Sequence, residues 1–95
     1  MSVTEIHQLS DLFRKAGQAH HRAFIRTNGE DPEWPLWYAE YLLPRLKPYL
    51  ARSVSNSELV CWLIQTEKDR AVADWPTVYA MRLLEDYGRE ATIEG

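Results

Sequence analysis

The chain has 95 residues, 45% hydrophobic and 26% charged, with fourteen acids against eleven bases and a net charge of -3. That length gives a single domain, just large enough to bury a core in which every large side chain counts. Basic residues scattered along an acidic chain argue against nucleic acid as a partner, and no run reaches the ~18 apolar residues of a membrane span.

Ile6, Leu9, Phe13, Ala16, His20 and Ala23 follow a 3-4-3-4-3 spacing, one stripe of an amphipathic helix expected over about 4–26. Thr27-Asn28-Gly29 ends it, because Asn and Gly tolerate the left-handed conformation. A second helix, about 34–50, starts with Pro35 in its first turn, where the missing N–H has no partner to lose. Its aliphatic stripe is Leu36, Ala39, Leu43, Leu46 and Leu50, with Leu42 beside it, and a kink is expected at Pro44. Ser55 and Glu58 form a capping box for a third helix, about 56–72, whose polar second half, Gln65 to Arg70, is expected to project into solvent. The fourth helix runs over about 75–87 with Gly88 as its C-cap, and 89–95 reads as a frayed tail. The fold class is therefore all-α, a four-helix bundle-like arrangement of two helical hairpins.

An offset of 41 residues lays EWPLWYAEYLLPRL, residues 33–46, on DWPTVYAMRLLEDY, residues 74–87. Trp34 meets Trp75, Pro35 meets Pro76, Tyr38 meets Tyr79, and Ala39, Leu42 and Leu43 meet Ala80, Leu83 and Leu84. An acid, a ring and a proline together make a helix start, with the acid near the positive end of the dipole. Duplication and convergent helix-start chemistry both account for the match. Trp37 and Tyr41 are replaced by Val78 and Arg82 in the second copy, so the first carries additional rings.

Those rings have two readings. Ala16, Gly17, Ala19 and Ala23 leave a shallow groove on helix 1 in which Trp34 or Trp37 can lie as core. Trp37, Tyr38, Tyr41 and Arg45 otherwise form an interaction surface, since interfaces favour Trp, Tyr and Arg.

His20 and His21 are adjacent, hence about 100° apart around the helix, and cannot chelate one ion together; His7 lies too far along the axis from His21 to share one. His20 stands where the stripe calls for an aliphatic residue, either as a hydrogen-bonded core histidine or as the wall of a pocket with Glu30, Asp31 and Trp34 or Trp37. Metal-binding spacings, a phosphate loop and a nucleophile elbow are all missing from the sequence, so no catalytic residue, metal or cofactor is expected. Cys61, inside LVCWLI, reads as a buried, inert thiol. A lone cysteine excludes an internal disulfide and fits a reducing, cytoplasmic setting, and MSVTEIHQLSDLF has no basic n-region or apolar h-region that would suggest export.

The phrase AHHRAF followed by GEDPEWPLWYAEYLLPRL, residues 19–46, is similar to short uncharacterised bacterial proteins. The resemblance covers about a third of the chain and implies a bacterial cytosolic origin, with no activity or functional residues attached. The leading expectation is a non-enzymatic interaction or oligomerisation module, a homodimer or a partner-docking subunit, using the aromatic side of helix 2. The alternative is a metal- or small-ligand-binding protein, with an enzyme within its scope, whose pocket lies around His20, Glu30, Asp31 and Trp34 or Trp37.

Overall fold

A computed structural model describes residues 3–88 as four helices, α1 (Val3–Ala23), α2 (Trp34–Leu46), α3 (Asn56–Gln65) and α4 (Trp75–Tyr87). The tail at 89–95 lies outside the described residues. The described residues form an all-helical bundle in which Leu50 and Gly88 make an isolated antiparallel bridge.

Along α1 the expected stripe is buried at Leu9, Phe13, Ala16 and His20, half-buried at Ile6, and exposed at Ala23, so the core-facing face ends with the histidine. The helix also stops earlier than its apolar period suggests. A 3-10 turn, Ile25–Thr27, follows, then Asn28 and Gly29 adopt φ values of 58° and 88°. Thr27 and Gly29 both donate their N–H to the Phe24 carbonyl, at 3.1 and 2.8 Å, so the reversal is closed by backbone bonds. These bonds turn the chain back toward α1.

Pro35 occupies the first turn of α2 as expected, and the helix passes through Pro44 before tightening into a 3-10 turn, Lys47–Tyr49. Its buried face differs from the aliphatic stripe. Tyr38, Ala39, Leu42, Leu46 and Leu50 are buried, Leu43 is half-buried and Leu36 is 51% exposed. A tyrosine ring removes more apolar area from water than a leucine, and burying Tyr38 turns Leu36 outward.

Ser55 caps α3 in a complete capping box: the Glu58 N–H donates to Ser55 Oγ at 3.1 Å, and the Ser55 N–H donates to Glu58 Oε1 at 3.0 Å. The helix ends at Gln65, and the segment beyond it does not project into solvent. Thr66 is buried with its hydroxyl donated to the Trp62 carbonyl at 2.9 Å, and a 3-10 helix, Glu67–Ala71, lies back against the bundle. Asp69 takes the Arg82 guanidinium at 3.2 Å, and Arg70 covers the Trp34 ring at 4.6 Å. Aromatic faces below the segment offer an arginine stem and head more than open water does. Cys61, expected in the core, is exposed, because Leu59, Trp62 and Leu63 hold the inner face of α3.

Gly88 closes α4 by clearance: its backbone is extended at φ -72°, and a Cβ there would stand 2.5 Å from the Leu84 carbonyl oxygen. The Gly88 N–H donates to that same oxygen at 3.0 Å, and the Ala51 N–H donates to the Tyr87 carbonyl at 2.8 Å, tying the α2–α3 connection to the end of α4.

The closest packing runs between α1 and α4 and between α2 and α3, with α1 against α2 next. Exchanging α1 with α3 and α2 with α4 converts the first interface into the second, as the 41-residue echo would require of a pseudo-two-fold. Phe13, Trp62 and Tyr79 meet at the centre, with ring centroids 5.6 to 6.2 Å apart, and Trp62 Nε1 donates to Asp86 at 2.9 Å. Each such ring withdraws ~150–250 Å² from water, worth several kcal/mol at ~25 cal/mol/Å², a large share of a small domain's stability. The Tyr79 hydroxyl is left without a hydrogen-bond partner among the described residues. Burial pushes this phenol up; the Thr66 hydroxyl beside it opposes the shift without cancelling it, being directed at the Trp62 and Leu63 carbonyls.

Candidate ligand cleft

His20 sits at the point where the buried stripe of α1 meets the returning loop. Its Nε2 lies 3.1 Å from Asp31 Oδ2, and both side chains are more than nine-tenths buried, at 7% and 8% exposure. The other Asp31 oxygen accepts the Glu33 N–H at 3.0 Å, so one carboxylate both fixes the imidazole and shapes the entry to α2. The Asp31 carboxylate can only accept, so Nε2–H is the donor in this bond.

Aromatic rings enclose the imidazole. Tyr38 stacks on it at 5.0 Å and 27°, Trp37 meets it edge-on at 5.0 Å and 76°, and Phe24 lies 4.8 Å away. Burial pushes the Tyr38 phenol up; the Arg70 guanidinium opposes this and the Asp31 carboxylate adds to it. Arg70 lies 5.6 Å over the Tyr38 ring and 4.6 Å over Trp34, which links the 3-10 segment to the His20 cage.

Beside this cage opens a cleft of about 880 Å³ between the second half of α1, the Asn28–Gly29 turn and the chain from Ala73 to Pro76. His20 and Tyr38 form part of its wall, and Trp75 forms another part. Gly17 makes the approach possible: a Cβ there would stand 3.2 Å from the Trp75 ring. The indole in the small-residue groove is therefore Trp75, and not Trp34 or Trp37 as the sequence suggests. Arg14, Arg22, Arg70 and His21 also line the cleft, with Asp74 as its single carboxylate among the described residues. Basic residues scattered in the sequence gather here, because α1 supplies two turns of one face and the 3-10 segment supplies the third arginine.

Of the residues singled out in the sequence, His20 and Asp31 come together. Trp34 is half-buried beneath Arg70, and Glu30 is exposed, its carbonyl accepting the Thr27 hydroxyl at 2.7 Å. Tyr38, grouped with the surface rings, is only 5% exposed and belongs to the cage. Trp37, Tyr41 and Arg45 do form a ladder. Trp37 stacks on Tyr41 at 5.4 Å and 11°, and the Arg45 guanidinium lies 3.9 Å over Tyr41 while donating to its carbonyl. Both rings are half-buried, Trp37 also meeting His20. His7 and His21 are exposed and apart from each other, and no group of three His, Cys, Asp or Glu among the described residues is arranged to hold a metal. Nothing in its polar run marks Arg70, whereas Trp75 carries a helix-start pattern that does not by itself point to a cleft.

No protein-family model, curated protein or solved structure matches the chain. The reading of the site rests on its geometry. Guanidinium groups beside a half-buried indole suit a small organic molecule with polar and flat parts, and the caged imidazole offers it an oriented hydrogen-bonding edge.

Proposed function

We propose that this chain is a small-ligand-binding protein, and that its ligand occupies the cleft bounded by His20, Tyr38, Trp75 and Arg70. The observation that carries the reading is the buried His20–Asp31 pair at the cleft wall, 3.1 Å apart. Burying two polar side chains costs desolvation that an aliphatic residue at position 20 would avoid, and a few fixed polar groups in the wall of a cleft are what orients a small ligand. Native mass spectrometry of untagged protein tests it. A co-purified small molecule that is absent from Trp75→Ala supports the reading. An empty protein, whose tryptophan fluorescence answers to no compound in a fragment library, would refute it.

A second reading keeps the outer side of α2 as a docking face for a second copy or a protein partner. It is supported by the half-exposed Trp37–Tyr41–Arg45 ladder and by Leu36, which stands 51% exposed on the same helix. A strictly monomeric protein at micromolar concentration, with Trp37→Ala losing no partner in a pull-down, would remove this reading. No helix among the described residues is long and apolar enough to cross a membrane.

A further inference from the structure

We infer that the ligand class of this cleft is a phosphate monoester joined to a planar ring, an inference that rests on the cleft being a ligand site. Charge is the first support. The cleft gathers Arg14, Arg22 and Arg70 against the one carboxylate of Asp74, in a chain whose net charge is -3. A phosphate monoester carries about -1.5 to -2 at neutral pH, the charge that this surplus matches, whereas a carboxylate supplies half of it.

The state of the arginines is the second. Arg22 and Arg70 make no ion pair among the described residues, and Arg14 has a loose contact with Asp11 at 3.7 Å, both partners half exposed, and a long hydrogen bond to Ser10 Oγ at 3.5 Å. Of the four described arginines outside the cleft, two are ion-paired, Arg52 with Glu58 at 3.1 Å and Arg82 with Asp69 at 3.2 Å, and Arg26 and Arg45 are not. Guanidinium groups with open donors recognise phosphate oxygens in a bidentate fork.

Placement along the helix supplies the third. Arg14 and Arg22 are eight residues apart, about 12 Å along α1, which is wider than one phosphate. Arg70 is held at the His20 end by its contacts with Tyr38 and Trp34, and Arg22 lies two residues past His20 along α1, so the phosphate is assigned to that end of the cleft. Trp75, seated on Gly17 between the two α1 arginines, then offers its indole to a flat body extending toward Arg14.

Calorimetric titration with phenyl phosphate tests the assignment, with inorganic phosphate, benzoate and phenol as separate arms. Phenyl phosphate is expected to bind more tightly than any of the three and to weaken as salt is raised. Arg22→Gln and Arg70→Gln should each weaken it about tenfold, the scale of one charged hydrogen bond. Arg22 is exposed and unpaired, so its variant should keep the wild-type circular dichroism spectrum and melting curve. Phenol binding as tightly as phenyl phosphate, with Arg22→Gln unchanged, would overturn the anionic class and leave the cleft reading standing. Equal affinity for inorganic phosphate would overturn the planar body. No heat with phenyl phosphate even at millimolar concentration would overturn the inference outright, while a different molecule found by native mass spectrometry would still preserve the cleft.

Discussion

The two Trp-Pro helix starts are nearly the same object locally and do different work. Glu33 and Asp74 enter their helices at φ of -103° and -102°, and each tryptophan meets the tyrosine four residues on edge-on, at 6.0 Å and 80° in α2 and 5.4 Å and 79° in α4. What surrounds them diverges. Tyr79 points into the Phe13–Trp62 centre, while Tyr38 stacks on His20 beneath Arg70. Trp75 lies on Gly17 at the cleft, and Trp34 is covered by a guanidinium. A repeated local phrase thus fixes helix entry and an intrahelical ring pair, and leaves the use of those rings to the neighbours.

Truncating the two tyrosines should break the equivalence most sharply. Tyr79→Ala is expected to cost about 3–5 kcal/mol, as for a large ring removed from a closed core, and Tyr38→Ala about 2 kcal/mol because the adjoining cleft lets water fill part of the space. Urea denaturation followed by circular dichroism measures both, and equal losses would dissolve the distinction between core and cleft. Next in size is Asp31→Ala, which leaves a buried imidazole without its partner and should cost about 1–3 kcal/mol. The second copy has Val72 at the position 41 residues on, so that exchange tests a feature found only in the first.

Helix starts themselves differ in a way mutation can expose. Neither Glu33 nor Asp74 makes a side-chain cap bond to its helix, whereas Ser55 does, so Ser55→Ala should lose about 1 kcal/mol and Glu33→Ala far less. The Ser55 backbone N–H and Arg52 hold the Glu58 carboxyl below its ordinary value of 4.5. Its contribution is therefore complete above that value and fades as pH falls through the lowered one; being exposed, it is small. Glu58→Gln should remove this acid limb in a pH series of denaturation midpoints, whereas Ser55→Ala, which keeps the backbone N–H and Arg52, should leave most of it.

The smallest expected change is Tyr79→Phe, within about 0.5 kcal/mol of wild type at neutral pH, because the hydroxyl it removes is buried without a bond. Burial raises the phenols of both Tyr38 and Tyr79 above 10.0, so each favours the fold fully below that value and loses its contribution as pH rises through the raised one. Tyr79→Phe should remove one component of that alkaline loss. Tyr38→Phe should remove the other, as ultraviolet titration of the two variants would show.

By itself the sequence determined what depends on period and local chain chemistry. The α1 stripe, the capping box, the two proline starts and the left-handed pair at Asn28 and Gly29 are all written in residues within a few turns of one another, and so is the odd place of His20 in an apolar row. The sequence offers Glu30 and Asp31 as carboxylates that can meet His20, and the closure of the turn selects Asp31. Tertiary structure decided the rest, because it depends on which helix faces which. The α1–α4 contact put Trp75 on Gly17; burying Tyr38 turned Leu36 outward; folding the 3-10 segment onto Trp34 brought Arg70 beside Tyr38 and to the cleft it shares with Arg14 and Arg22. No residue period encodes a meeting between positions 17 and 75, or 22 and 70, since such contacts are selected by the burial of area summed over the whole bundle.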